Sequence, residues 1–142
     1  MDGSGEMTGD STRCVHSALD PEVTTGAVHT PIFQTSTYVQ NDFADHLGYE
    51  YARGDNPTRN ALQRALAELE SPNQPAHGFC FASGMAAITT ISQMLKQGDH
   101  VIACDDLYGG TVRLFDQIAA RFGIETTYSP LKPGDLSQVI RE

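Results

Sequence analysis

Tyr51 and Arg53 lie two residues apart in YEYARGDNPTR, residues 49–59, just ahead of a proline suited to start a helix. A guanidinium grips a phosphate through two parallel hydrogen bonds, and a phenol adds a third donor. A second group is FASGMAA, residues 81–87, in which Ser83, Gly84 and Met85 open a helix directly after a short apolar run. The first amides of a helix lack internal partners and carry the positive end of its dipole. Gly84 lets a ligand approach that backbone, so the turn has the make-up of a phosphate cradle. It is not a dinucleotide fingerprint, since GxGxxG is absent, and it is not a P-loop, since no GK[ST] follows. The third group is DDLYGGT, residues 105–111. Its Tyr108 falls at the end of an expected strand, where open α/β sheets bind ligands, and its ring can stack on a flat cofactor. Each group alone also has a plainer reading: a solvated loop arginine, tight packing at a turn, a half-buried tyrosine. Together they suit a flat aromatic ring that bears one phosphate.

These residues need elements to position them. NPTRNALQRALAELES reads as a helix capped by Asn56, with Pro57 at its first position and Leu62, Ala65, Leu66 and Leu69 as an apolar stripe. Residues 78–82, GFCFA, suggest a buried strand. GMAAITTISQMLKQG suggests a helix that turns Ala87, Ile88, Ile91, Met94 and Leu95 to a core and stops at Gly98. HVIACD is the next expected strand, TVRLFDQIAARFG a helix closed by Gly123, IETTYS a third strand, and GDLSQVIRE the start of a further helix. Strands alternating with helices imply a parallel sheet with crossover helices. Such a sheet needs cover on both faces, and three strands make it narrow. The chain is therefore expected to be the N-terminal portion of a larger α/β protein. Residues 1–12 read as a flexible tail and residues 13–56, which show no sustained period, as an extended arm that lies on another surface.

Composition excludes several classes. Of 142 residues, 39 % are hydrophobic and 19 % charged, which is globular. A net charge of −9 and a pI near 4.8 argue against nucleic acid or an anionic membrane as partner. No apolar run is long enough to cross a bilayer, and MDGSGEMTGDST has no signal-peptide pattern. Cys14, Cys80 and Cys104 form no CxxC and no zinc spacing with the five histidines, so no metal site is expected, and reduced thiols suit a cytoplasmic protein.

TGAVHTPIFQTSTY, YEYARGDNPTR, FASGMAA, GDHVIACDDLYGGT and RLF stand in order along the chain. In that order and at those spacings they resemble the N-terminal part of the Cys/Met-metabolism enzymes dependent on pyridoxal 5'-phosphate (PLP). That group includes cystathionine γ-synthase, the cystathionine γ- and β-lyases, methionine γ-lyase and the O-acylhomoserine sulfhydrylases. The resemblance runs over about residues 14–142 and implies the type I, aspartate aminotransferase-like α/β fold of PLP-dependent transferases. The N-terminal arm would lead into the first part of the large, mostly parallel PLP-binding domain, residues 57–142. It implies that Tyr51 and Arg53 reach into a neighbouring subunit and hold the cofactor phosphate. Ser83, Gly84 and Met85 would cradle the same phosphate, and Tyr108 would stack on the pyridine ring and assist proton transfer as the catalytic residue. It implies a homo-oligomer, a dimer of dimers with shared sites, in transsulfuration and methionine biosynthesis. The substrate would be an amino acid such as cystathionine, a homoserine ester, cysteine or homocysteine. Methionine γ-lyases carry a cysteine where this chain has Gly110, which favours the cystathionine γ-synthase and γ-lyase group.

The family's cofactor-bearing lysine and its aspartate for the pyridine nitrogen have no counterpart here. Lys96 ends a helix and Lys132 lies in a loop, and neither sits in the lysine motif. Residues 1–142 alone are therefore expected to be inactive. Two other readings stand beside the enzyme: a non-catalytic truncated or degenerate paralogue that associates with full-length subunits, and an unrelated small phosphate-binding α/β module. The latter would not need the Tyr-x-Arg arm.

Overall fold

A computed structural model describes residues 9–43, 45–132 and 139–140. Contacts group the chain into two units, Met1–Cys80 and Phe81–Glu142. The helix expected to open the α/β domain thus groups with the arm.

In the first unit, α1 spans Asp10–His16, β1 Gln40–Asp42, β2 Asp45–His46 and α2 Pro57–Glu70. The first of these was not expected, because the tail was read as flexible to residue 12. Asp10 in its first turn and Arg13 and His16 in its last complement the helix dipole. The segment after α1 is tied to α2: Ala18 N donates to Glu68 Oε2 at 3.2 Å and Arg64 to Asp20 at 2.9 Å. Ala67 is the buried residue of α2. Of the apolar stripe, Leu62 and Leu66 are 53 % and 48 % exposed, while Ala65 is half-buried.

The start of α2 follows the sequence closely. Asn56 is extended, at φ −151° and ψ 132°, and its Oδ1 accepts from Thr58 N at 2.9 Å and Arg59 N at 3.2 Å. The same side chain binds the arm, since Nδ2 donates to the Phe33 carbonyl at 3.1 Å and to Tyr38 Oη at 3.3 Å. Thr58 Oγ1 adds a bond to the Pro31 carbonyl at 2.8 Å and accepts from Phe33 N at 2.9 Å. Asn56→Ala removes a cap and two arm bonds together. It is expected to cost about 2 kcal/mol in urea unfolding of the full-length protein. A loss below about 0.5 kcal/mol would show that the cap does not hold the arm.

The arm itself folds into a hairpin. Thr37 bridges Tyr51 in antiparallel fashion, flanked by Tyr38 N to Glu50 O at 3.1 Å and Ala52 N to Ser36 O at 2.9 Å. Strands β1 and β2 close it. Val23, in the arm before the hairpin, and Phe43 and Leu47, within it, are 98 %, 96 % and 87 % exposed. Ahead of the hairpin, Glu22 accepts from the Thr24 and Thr25 amides and the Thr25 hydroxyl. These bonds, the Thr24 amide foremost, hold its carboxyl down at about 2.

Residues 78–82 do not form the expected strand. A strand exists only through a ladder, and here the Cys80 amide is taken by the Gln63 side chain at 3.0 Å. Close packing of Gly78 on the Gln63 carbonyl leaves no room for a side chain there.

In the second unit, α3 spans Gly84–Ser92 and β3 His100–Cys104. A helix that begins as α4, Gly109–Arg113, widens to a π-turn at Leu114–Ile118 and tightens to 3-10 geometry at Ala119–Phe122, before β4, Glu125–Ser129. Gly123 ends that helix at φ +73°, as expected of a left-handed C-terminal position. Strands β3 and β4 pair in parallel from His100 opposite Glu125 to Cys104 opposite Ser129. Among the described residues the parallel sheet has these two strands, not three, because residues 78–82 stay out of it. Phe115, Ala119 and Ile124 form the buried core, with Ile88, Leu95 and Val101 packed on it. The helix from Gly84 is shorter than expected, and neither Ile91, within it, nor Met94, beyond its end, turns to the core: they are 65 % and 79 % exposed. The helix expected from Gly134 lies outside the described residues.

Candidate cofactor-phosphate site

In the first unit, the Arg53 guanidinium lies over the Tyr51 ring, with Cζ 4.9 Å from its centroid. Both residues line an open depression of about 470 Å³, with Thr37, Tyr38, Gln40, Glu50 and Gly54. Among the described residues Arg53 pairs with no carboxylate. A cation placed on an ordered loop and left without a counter-charge is equipped to receive an anion.

The second unit holds the other candidates. Ser83 caps α3, its Oγ accepting from Ala86 N at 3.1 Å. The amides of Gly84 and Met85 have no partner among the described residues. A Cβ built on Gly84 would meet no atom within 4 Å, so the approach to those amides is open. That cradle fits an anionic oxygen cluster: two free donors, the positive end of a nine-residue helix and no side chain in the way.

Tyr108 stands beside this turn. A Cβ on Gly110 would fall 2.5 Å from Tyr108 Cε1 and 3.2 Å from Met85 Sδ, so the ring, the glycine and Met85 share one small space. Thr111, only 4 % exposed, sends its hydroxyl to Met85 Sδ at 3.6 Å. The Tyr108 ring itself is 71 % exposed and free to meet a ligand. Tyr128 is the contrasting phenol: burial and its 2.7 Å bond to Asp116 push it up to about 12, so it remains a fixed donor. No cluster of His, Cys, Asp or Glu able to hold a metal ion occurs among the described residues. None of their helices is long and apolar enough to cross a membrane.

Two of the three expected groups, Ser83–Met85 and Tyr108, are thus brought together within one unit. Tyr51 and Arg53 are brought together within the other. The sequence reading missed Arg59, whose guanidinium donates to the carbonyls of Ala52 and Gly54 on either side of Arg53. A signal was present: Arg59 falls in the first turn of α2, where a cation opposes the helix dipole and so needs another role.

The chain belongs to the Cys/Met metabolism PLP-dependent enzyme family, whose model matches residues 11–142. It is 55 % identical over 116 residues to a probable cystathionine gamma-synthase of Herpetosiphon aurantiacus, covering 82 % of this chain and 35 % of that protein. It is 52 % identical over 110 residues to a cystathionine beta-lyase of Coxiella burnetii, covering 78 % and 28 %. Among solved structures, cystathionine gamma-lyase from Lactobacillus plantarum complexed with L-serine aligns with a TM-score of 0.82 at 36 % identity, covering 94 % of this chain and 34 % of that one. The chain therefore spans about a third of the length of the curated relatives it matches.

Proposed function

We propose that this chain supplies the N-terminal arm and the first part of the cofactor-binding domain of a type I PLP-dependent enzyme of sulfur amino-acid metabolism. The enzyme acts on C–S bonds by β- or γ-elimination or γ-replacement, most like cystathionine γ-synthase or γ-lyase. The observation that carries the reading is the open start of α3 beside the exposed Tyr108 ring, in a chain of this family. When bound, PLP supplies an electron sink for an amino-acid substrate that has lost its α-proton.

The chain's own residues do the rest. Ser83 holds the first turn of α3 in place, so that the Gly84 and Met85 amides donate to the phosphate. Tyr108 lays its ring on the flat cofactor, and its hydroxyl holds or moves a proton at the reacting centre. Tyr51 and Arg53 belong to the arm, and we assign them to the phosphate of a neighbouring copy. The exposure of Val23, Phe43 and Leu47 supports an arm that is covered by another surface. The working form is then a homo-oligomer, a dimer of dimers with active sites shared between subunits, in the cytoplasm.

The test is to load the full-length protein with PLP and offer cystathionine, or a homoserine ester with cysteine. Release of an oxo acid from the first, or cystathionine from the second, is the expected result. Stoichiometric PLP binding without turnover of any sulfur amino acid would overturn the enzymatic reading and leave a non-catalytic partner of full-length subunits.

A further inference from the structure

The backbone around Arg53 is held at every peptide. The Ala52 amide donates to the Ser36 carbonyl at 2.9 Å, and the amides of Gly54 and Asp55 both reach the Tyr51 carbonyl at 3.0 Å. Two carbonyls of this turn, those of Ala52 and Gly54, point to one side chain. Arg59 Nη1 donates to the Ala52 carbonyl at 2.9 Å and Nη2 to the Gly54 carbonyl at 2.7 Å. The Asp55 carboxylate lies 3.9 Å from Nη2 and itself accepts from Asn56 N at 3.0 Å. The Arg59 side chain is 31 % exposed, far more enclosed than a solvated arginine. Its own amide is bonded to Asn56 Oδ1, so the fork starts from a capped and rigid helix turn.

We propose that Arg59 is a positioning residue for the phosphate grip: its two-pronged guanidinium closes the Tyr51–Asp55 turn across Arg53 and sets the direction in which Arg53 and Tyr51 leave the arm. The inference rests on the assignment of Arg53 to the cofactor phosphate. The fork is what the geometry requires. A planar guanidinium presents two parallel donors at fixed separation, and the two carbonyls flank a single residue. A lysine reaches one of them and leaves the other to water. Without the clamp, the turn samples several conformations, and binding must order it. The net effect falls on the phosphate alone, because no part of Arg59 is assigned to the ring of the cofactor or to the substrate.

Arg59→Leu and Arg59→Lys in the full-length protein test this by titration with PLP and with pyridoxal, which lacks the phosphate. Arg59→Leu is expected to weaken PLP binding by about tenfold, the scale on which the supporting partners of ligand-holding residues act. Pyridoxal binding is expected to stay unchanged. Arg59→Lys keeps the charge but not the fork, and a partial loss for PLP is expected with pyridoxal again unchanged. If the leucine variant does not fold, the lysine variant decides. Wild-type PLP affinity in Arg59→Leu, equal losses for PLP and pyridoxal, or full rescue by lysine would each overturn the proposal. Arg53→Leu in the same titration separates the two levels. If it leaves PLP affinity unchanged, the phosphate-grip reading itself falls. If it weakens PLP while Arg59→Leu does not, only the role of Arg59 falls.

Discussion

Replacing Arg53 by leucine is expected to weaken PLP binding to the full-length protein by on the order of a hundredfold, with little change in its unfolding temperature. A charge-assisted hydrogen bond contributes about 1.5–3 kcal/mol, and the guanidinium can make two to one phosphate. Stability is not at stake, because Arg53 is exposed and pairs with no carboxylate among the described residues. What the fold loses is its place over the Tyr51 ring, an exposed cation–π contact of about 0.5–1 kcal/mol. The measurement is a PLP titration followed by visible absorption, repeated with inorganic phosphate as competitor. Phosphate should compete well against PLP in the wild type and poorly in the variant. Equal retention of PLP by both proteins would remove Arg53 from the site.

Gly110→Ala is expected to lower kcat/KM by on the order of a hundredfold while leaving the protein folded. The added methyl would stand 2.5 Å from Tyr108 Cε1, 3.0 Å from Cδ1 and 3.2 Å from Met85 Sδ. Those atoms belong to side chains, and the Tyr108 ring is largely exposed, so it can swing aside at little cost to stability. A ring displaced by an ångström or more no longer lies where a stacked cofactor needs it, and misplacement on that scale costs about 10²-fold in rate. Activity together with thermal unfolding checks the claim. Full activity with an unchanged melting temperature would show that Tyr108 does not work from this position.

The local signals carried much of this arrangement. Asn56-Pro57 announced the start of α2, because an amide side chain and a fixed φ each act within three residues. Ser83-Gly84 announced the start of α3, and Gly123 ended the helix before β4 at a positive φ. Strand β3 was legible from its apolar HVIAC run, and β4 from the β-branched and aromatic residues of ETTYS. Their parallel pairing followed from the alternation of strand and helix, but which segments join the sheet did not. Residues 78–82 have the composition of a strand, yet a strand is defined by its neighbour, and the Cys80 amide found a side chain first. Leu62 and Leu66 form a stripe in the sequence, but periodicity does not say what covers it, and here Ala67 faces inward instead. Of the proposed site, Tyr51, Arg53, Ser83, Gly84, Met85 and Tyr108 were each visible as chemistry. Arg59 was missed: its place in the first turn of α2 hinted at another role, but its partners are the Ala52 and Gly54 carbonyls, and which carbonyls it binds is not written in the sequence.

The central claim is that one copy lends Arg53 and Tyr51 to a phosphate seated on the Ser83–Met85 turn of another. Subunit mixing tests it most directly. Two full-length variants, Arg53→Leu and Tyr108→Phe, are each expected to be impaired. If the residues of one working site come from different copies, co-assembling the two restores intact sites, and activity rises well above the sum of the separate variants. If activity stays at the average of the two, Arg53 and Tyr108 of the same copy serve the same site, and the claim is wrong.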